Sequence, residues 1–284
     1  MNSLGSDVAL IGRVCLVTGG ANGIGLATAV ECARRGASVA ILDLDEAGAL
    51  RSAAALTERF GTPAMGVVAS VSDANAIASA VRSCEEKLGR IDILVNSAGI
   101  LAPSLTPVSQ MATEDVERMF QVHVMGAYLC SKAVLPGMTE QRFGRIINIS
   151  SILGLLGGPL RSGYTIAKHA IIGFTRSLAV EVARDGITVN AVAPGYILTE
   201  IVQARMNAGL LDYARNADRA PAGRWGLPEE IGHAISFLAL PASGFITGVV
   251  LPVDGGYSMR GDPSDDIGTV QSPAMLESIR VMFP

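Results

Sequence analysis

Three side chains that can hold or transfer a proton stand close together near the middle of the sequence: Ser151, Tyr164 and Lys168. Tyr164 and Lys168 are four residues apart, so on a helix they share one face and can point into one cleft. Ser151 stands thirteen residues before Tyr164, just after an apolar run that ends at Ile149. A positioned phenol can act as a general acid or base. The set indicates proton transfer with Tyr164 as the acid/base group, although each residue alone is equally well explained as an ordinary helix or strand-end residue.

A glycine-rich segment, Thr18-Gly19-Gly20-Ala21-Asn22-Gly23-Ile24-Gly25, follows the first apolar run and opens a helical pattern. Glycine lets backbone N–H groups approach a pyrophosphate, and a helix start favours negative charge. Asp43 stands eighteen residues after Gly25, where a carboxylate can accept hydrogen bonds from ribose hydroxyls and would repel a 2′-phosphate. The turn contains no Arg or Lys, so the pattern predicts NAD rather than NADP. A plain turn without a ligand is the alternative, and Asp45 is expected only to cap the next helix.

The elements that must position these residues alternate between strand-like and helix-like segments. Short apolar runs bounded by Gly, Pro, Asn or Asp predict seven strands at Val14–Val17, Ser38–Leu42, Ala64–Ala69, Ile91–Val95, Arg145–Ile149, Thr188–Val192 and Val249–Val253. Helical spacing occurs near residues 23–35, 46–60, 73–88, 113–138, 163–184 and 228–240. Runs that are apolar on successive residues suit a parallel sheet covered on both faces. The alternation predicts a single-domain, Rossmann-type, doubly wound α/β fold with helices on both faces, whose ligand cleft lies at the carboxyl ends of the strands.

Composition narrows the range of partners. The 284 residues carry a formal net charge of −4 and no Lys/Arg-rich run, which argues against nucleic acid and favours a small molecule. No apolar stretch is long enough to span a membrane, and no secretory signal is visible at the N-terminus. The four cysteines are far apart and form no CxxC pair, so they predict core thiols and no metal site. We expect a cytoplasmic protein.

At this point the chain resembles the short-chain dehydrogenase/reductase family over about residues 10–258. The motifs are TGGANGIG at 18–25, NSAG at 96–99, the Ser151/Tyr164/Lys168 set and Pro194-Gly195. The resemblance implies that Ser151 orients the substrate carbonyl, that Tyr164 exchanges its proton, and that Lys168 binds the nicotinamide ribose and lowers the tyrosine pKa. It also implies contacts to NAD from Tyr164, and further ones at Thr18, Gly19, Asn22, Gly23, Ile24, Gly25, Asp43, Ser70, Val71, Asn96, Ala98, Gly99, Pro194, Gly195, Ile197 and Thr199.

The role implied for Lys168 has a definite energetic requirement. Free tyrosine has a pKa of about 10, so a pKa of about 7 requires roughly 4 kcal/mol of preference for the phenolate. A neighbouring ammonium and the positive nicotinamide ring can supply it. Without them Tyr164 would remain a proton donor but a poor base.

Two positions depart from the family pattern. His123 stands where the family commonly has an Asn that holds a water behind the lysine. We hypothesise that a ring nitrogen of His123 replaces that amide and adds a pH dependence near neutrality; the alternative is that His123 packs against a helix bend at Gly126. Ser70-Val71 replaces a common Asp-Val that contacts the adenine amine, which predicts a modestly weaker cofactor site.

Three functions remain open. The first is interconversion of a small, largely apolar secondary alcohol and its ketone, suggested by apolar residues after Ser151 at Ile152, Leu153, Leu155, Leu156 and Leu160. The second is 3-oxoacyl-carrier-protein reduction, against which Asp43 counts because such reductases usually prefer NADP. The third is a cofactor-binding regulatory protein without turnover.

The domain boundaries and the assembly complete the expectations. Residues 1–260 are predicted to form the catalytic domain, and 261–284 a C-terminal extension. Residues 199–226 show no clean period and are expected to cover the substrate. The resemblance implies a homotetramer that packs through the long helices near 113–138 and 163–184. In the extension, Met275, Leu276, Ile279 and Val281 are expected to dock on a neighbouring subunit.

Overall fold

Seven parallel strands form one sheet in a computed structural model of the protein, which describes residues 9–101, 105–209 and 213–259. The strand order is β3-β2-β1-β4-β5-β6-β7. The strands are β1 Val14–Thr18, β2 Ser38–Asp43, β3 Ala64–Val68, β4 Ile93–Asn96, β5 Gly144–Ile149, β6 Ile187–Pro194 and β7 Val250–Val253. Because the order reverses between β1 and β4, a crevice opens at their carboxyl ends. The predicted Rossmann-type fold and the single domain are confirmed.

Helices cover both faces of the sheet, as the continuous apolar strands require. They are α1 Gly23–Arg34, α2 Glu46–Phe60, α3 Ala74–Leu88, α4 Thr113–Phe120, α5 Gly126–Glu140, α6 Ser162–Val182, α7 Glu200–Asn207, α8 Tyr213–Arg219 and α9 Pro228–Ala239. One buried apolar cluster joins α1, α2 and α9 to the sheet. A second joins α3, α5 and α6 to its other face. The four cysteines are buried free thiols divided between these two clusters.

Two segments differ from the sequence expectation. The helical stretch predicted near 113–138 is two helices, α4 and α5, joined by a π-helical turn at Gln121–Met125. The irregular segment 199–226 contains two short helices, α7 and α8. Its amphipathic pattern is weak because α7 has no buried residue. The strand ends differ from the predictions by up to two residues, as at β4, which begins at Ile93 rather than Ile91.

The remaining expectations concern the C-terminal extension, membrane-spanning helices and metal sites. The extension 261–284, with its proposed docking residues, lies outside the described residues. No helix in the described part combines the length and apolar character needed to cross a bilayer. Within the same residues, no group of His, Cys, Asp and Glu side chains is arranged to hold a metal ion.

Candidate active site

The glycine-rich turn lies at the carboxyl end of β1, where α1 begins. Gly19 and Gly23 have φ angles of +64° and +53°, a region that glycine enters without strain. A Cβ on Gly19 would lie 2.8 Å from the Cα of Ala98, and one on Gly25 would overlap the carbonyl oxygen of Gly19. The side chain of Asn22 does not cap α1, so N–H groups of its first turn are available to a ligand. The turn therefore fits a pyrophosphate.

Asp43 ends β2 beside this turn and is partly exposed. Its carboxylate accepts one hydrogen bond from the backbone N–H of Ala21 at 3.1 Å and another from that of Asp45 at 3.1 Å. These bonds fix a negative charge at the edge of the glycine turn. The carboxylate of Asp45 accepts a hydrogen bond from the N–H of Gly48, so its predicted role as the cap of α2 is confirmed.

The side chains of Thr18 and Asn96 form hydrogen bonds to other segments of the protein. The Thr18 hydroxyl accepts hydrogen bonds from the N–H groups of Ser97 and Ala98, each at 3.1 Å, and thereby ties the end of β1 to the loop after β4. The Asn96 amide donates to the Asn148 carbonyl oxygen at 2.8 Å. Both side chains are buried. The Asn96 side chain therefore links β4 to β5, and the place of residue 96 at the adenosine crevice stays a prediction.

Ser151, Tyr164 and Lys168 meet at the carboxyl end of β5. Ser151 begins a single turn at Ile152–Gly154, and its hydroxyl accepts a hydrogen bond from the N–H of Leu153 at 3.1 Å. The Lys168 Nζ lies 5.4 Å from the centroid of the Tyr164 ring and donates to the carbonyl of Ile149 at 2.8 Å. Tyr164 also interacts with Ser151 through its hydroxyl. The fold therefore brings the three residues together, as their spacing predicts.

Burial sets the protonation of this group. It raises the pKa of Tyr164 to about 12, against smaller opposing effects of the Ser151 hydrogen bond and the charge of Arg161. Burial also lowers the pKa of Lys168 to about 7, so at pH 7 about half of the protein molecules carry a neutral Lys168. The pKa of about 7 expected for Tyr164 depends on the positive nicotinamide ring as well as on Lys168, so it stays a prediction for the protein with cofactor bound and is not reached in the protein alone. Here desolvation outweighs the attraction between the two groups, and Tyr164 is a proton donor at neutral pH.

His123 lies in the π-helical turn, buried beneath the loop after β4. Its Nε2 is 2.9 Å from the carbonyl oxygen of Ile100 and 3.3 Å from that residue's nitrogen. Its ring stands edge-on to Tyr164 at 5.5 Å, and its Nδ1 has no hydrogen-bond partner among the described residues. Burial, aided by the charge of Lys168, lowers the pKa of His123 to about 3. This low pKa argues against the hypothesised pH dependence near neutrality, because His123 is then neutral throughout that range.

The other predicted contact residues line the same edge of the sheet. Gly99 lies so close to His123 that a Cβ would come within 2.6 Å of the imidazole. Thr199, which caps α7, has its methyl group next to Gly23, so the segment after β6 reaches the glycine turn. The side chain of Ile197 belongs to the apolar core, which leaves only its backbone to face a ligand.

The structure also gives the surroundings of the remaining predicted cofactor-contact residues. Ile24 packs against the core, and Pro194 ends β6. Gly195 donates its N–H to the carbonyl of Val253 at 3.1 Å. Ser70 accepts a hydrogen bond from the N–H of Ser72, and Val71 packs closely on Gly126.

Sequence reasoning missed three residues at the substrate side. Arg161 directly precedes α6, and its charge acts on Tyr164. Tyr196 and Tyr257 pack on each other with ring centroids 5.5 Å apart, next to Ile152. Arg161 could have been found from its position three residues before Tyr164. Tyr257 could not, because only the path of β7 brings it to this side.

A doubly wound sheet with a glycine turn after its first strand is the fold of dinucleotide-binding enzymes. The family described as Enoyl-(Acyl carrier protein) reductase has a sequence model that matches residues 19–258. The chain belongs to the short-chain dehydrogenase/reductase family, and it is an oxidoreductase that depends on a nicotinamide cofactor.

Individual relatives cover most of the chain. It is 41% identical over 252 residues to the 3-oxoacyl-[acyl-carrier-protein] reductase FabG of Vibrio harveyi, covering 88% of this chain and 99% of the relative. It is 42% identical over 248 residues to the cis-4-hydroxycyclohexanecarboxylate dehydrogenase of Sinomonas cyclohexanicum, covering 87% of this chain and 96% of the relative. Among solved structures, levodione reductase matches with a TM-score of 0.84 and 32% identity, covering 89% of this chain and all of that chain.

Proposed function

We propose that this protein interconverts a secondary alcohol and its ketone with NAD as the cofactor and Tyr164 as the acid/base group. The observation that carries the proposal is the convergence of Ser151, Tyr164 and Lys168 at the carboxyl end of β5, at the same edge of the sheet as the glycine turn after β1. When bound, the nicotinamide supplies or accepts the hydride.

The preference for NAD rests on Asp43. Its carboxylate is held at the glycine turn by two backbone N–H groups and offers hydrogen-bond acceptors to ribose hydroxyls. A 2′-phosphate at the same place would meet a fixed negative charge. Gly19, Gly23 and Gly25 would hold the pyrophosphate, Thr199 and the backbone of Ile197 the nicotinamide end, and Lys168 the adjoining ribose.

The protein's part in the reaction is to bind the carbonyl and move one proton. The Ser151 hydroxyl orients the substrate oxygen. In reduction, Tyr164 gives its proton to that oxygen as the carbon–hydrogen bond forms, and in oxidation the proton returns. Because the pKa of Lys168 is about 7, its ammonium can restore the proton to Tyr164 at neutral pH.

His123 is proposed as a positioning residue behind this group. Its Nε2 holds Ile100, and its buried Nδ1 is an acceptor without a partner in the described chain. Such an acceptor suits a water that links Lys168 to solvent. This assigns to neutral imidazole the role that the family usually gives to an amide.

Turnover and cofactor binding test the main proposal separately. Cyclohexanol or another secondary alcohol is mixed with NAD, and the absorbance of the reduced nicotinamide is followed. Tyr164→Phe should lower kcat by about 10²–10⁴, while NADH titration by fluorescence should give an unchanged Kd. A Tyr164→Phe variant as fast as the parent would refute the mechanism, and NADH binding without turnover of any substrate would support the regulatory alternative.

A second candidate is 3-oxoacyl-[acyl-carrier-protein] reduction, which the similarity to the Vibrio harveyi enzyme favours. It uses the same three residues, but it does not explain Asp43. NADPH-dependent reduction of acetoacetyl thioesters at a higher kcat/KM than that of NAD-dependent alcohol oxidation would establish it in place of the first.

A homotetramer is also proposed, because two separate surfaces expose large apolar side chains. One is on α5 and α6, with Tyr128, Ile166 and Val180 exposed by 44%, 54% and 84%. The other includes the fully exposed Phe245, with Phe237 and Val249 nearby in sequence. Two self-complementary surfaces are what a tetramer with three two-fold axes requires. Phe245→Asp should yield dimers in light scattering, and a monomeric parent would contradict the proposal.

The location is proposed to be cytoplasmic. The support is the set of four buried free thiols, which is typical of proteins kept in a reducing compartment. Fractionation of the native host cells would test it.

A further inference from the structure

Two arginines stand near Tyr257, which belongs to a small apolar cluster at the carboxyl end of the sheet. Arg161 is partly buried and directly precedes α6. Arg219 ends α8, and its guanidinium carbon lies 4.7 Å from the centroid of the Tyr257 ring. Neither arginine forms an ion pair with any acidic side chain in residues 9–101, 105–209 or 213–259. Two positive charges near a catalytic phenol are thus left without an acidic partner from these residues.

This apolar cluster begins at the residue after Ser151. Ile152, which follows Ser151, forms a buried cluster with Ala220 and Tyr257. Leu153, Leu156 and Tyr196 pack against this cluster. A ligand in this place would meet hydrocarbon and aromatic surface on one side and guanidinium groups at the edge.

The charge of Arg161 acts on the phenols of both Tyr164 and Tyr257. It lowers the pKa of Tyr164 and that of Tyr257, although burial raises both by more. The nearest carboxylate in sequence to Tyr257 is Asp254, whose two oxygens accept hydrogen bonds from the N–H groups of Gly256 and Ser258. Asp254 therefore stabilises its own turn and forms no ion pair with either arginine in the described residues.

We propose that Arg161, assisted by Arg219, binds a carboxylate of the substrate, which is then a hydroxy acid or an oxo acid with an apolar frame. The planar fork of a guanidinium can bind both carboxylate oxygens at once. Arg161 stands three residues before Tyr164, about 4.5 Å along a helix axis. The carboxylate and the reacting carbon are therefore separated by several bonds. This inference rests on the proposed alcohol–ketone function, since it names the substrate class of the same site.

A binding experiment tests the carboxylate site without turnover. Cyclohexanecarboxylate has no hydroxyl to oxidise, and cyclohexanecarboxamide is its neutral counterpart. Calorimetry on the NAD-loaded protein should show the acid binding more tightly than the amide. Arg161→Gln should weaken acid binding about 10- to 100-fold, as expected for loss of a charge-assisted pair. Arg219→Gln should weaken it less, and Arg82→Gln, on the exposed side of α3, should bind like the parent.

A kinetic experiment separates this inference from the proposed function. The ratio of kcat/KM for cis-4-hydroxycyclohexanecarboxylate to that for cyclohexanol should fall at least about tenfold in Arg161→Gln, through KM, and recover in part in Arg161→Lys. An unchanged ratio, or equal binding of acid and amide by the parent, would overturn the carboxylate site while leaving alcohol oxidation intact. Arg161-dependent binding of the acid without turnover of any alcohol would instead refute the proposed function. Preference for a neutral oxoacyl thioester over the acid would also overturn the inference.

Discussion

Replacing Lys168 with Met should stabilise the protein near neutral pH. Lys168 is 4% exposed, and burial lowers its pKa from 10.5 to about 7. At 1.36 kcal/mol for each factor of ten, enclosing the ammonium costs about 5 kcal/mol. Because the folded-state pKa lies below the unfolded-state value, the unfolded chain binds more protons between about pH 7 and pH 10.5. The penalty is therefore present in full below about pH 7, and it is lost as the pH rises to about 10.5.

The measurement is the difference in the free energy of unfolding between Lys168→Met and the parent, by urea titration at pH 6.5, 8.5 and 10.5. The variant also loses the hydrogen bond to Ile149, worth about 1–3 kcal/mol, so its net gain at pH 6.5 should be about 2–4 kcal/mol. The gain should shrink steadily toward pH 10.5. Lys132→Met, on the exposed face of α5, is the matched control and should show no such trend. A pH-independent difference for Lys168→Met would refute the reasoning.

Substitutions at three further positions test the cofactor and relay assignments. Asp43→Ala should lower the ratio of kcat/KM with NAD to that with NADP by about tenfold or more, because it removes both a charged acceptor and the repulsion of a 2′-phosphate; an unchanged ratio would contradict the NAD assignment. Gly25→Ala should abolish NADH binding in a fluorescence titration, because its Cβ would overlap the carbonyl oxygen of Gly19, and binding like the parent's would show that the turn can relax. His123→Asn should leave the shape of the pH–rate profile from pH 5 to 9 unchanged, since the pKa of His123 is about 3. His123→Leu should instead lower kcat about tenfold or more, because it removes the proposed relay. If the Asn variant lost an inflection that the parent shows, His123 would have to titrate in that range.

The sheet could be predicted from the sequence because its five inner strands, β2, β1, β4, β5 and β6, are buried along all or most of their length. Each strand is then a continuous apolar run that ends at a turn residue, and this pattern needs no knowledge of its neighbours. The π-helical turn at Gln121–Met125 leaves no such pattern, because the apolar spacing of α4 continues into α5. The short helices α7 and α8 were missed for the opposite reason, since α7 buries no residue.

The positions of the proposed catalytic residues could be predicted from the sequence, but their protonation states could not. Spacing is enough to place Tyr164 and Lys168 on one helix face. Their pKa values depend on how completely other segments enclose them, and these segments come from distant parts of the chain. The same limit applies to Asn96, whose partner Asn148 lies 52 residues away on the adjoining strand.

Enclosure gives the site its protonation pattern at neutral pH. Tyr164 keeps its proton, and His123, with a pKa of about 3, is too weak a base to hold a proton there. Lys168 differs, because its pKa of about 7 places equal amounts of the charged and neutral forms at pH 7. A group in that balance can both give and accept a proton with little change in free energy. Under the proposed mechanism the stability lost by burying this lysine serves the reductive direction, since an ammonium with a pKa of about 7 readily returns a proton to the Tyr164 phenolate, whose conjugate acid has a pKa of about 12.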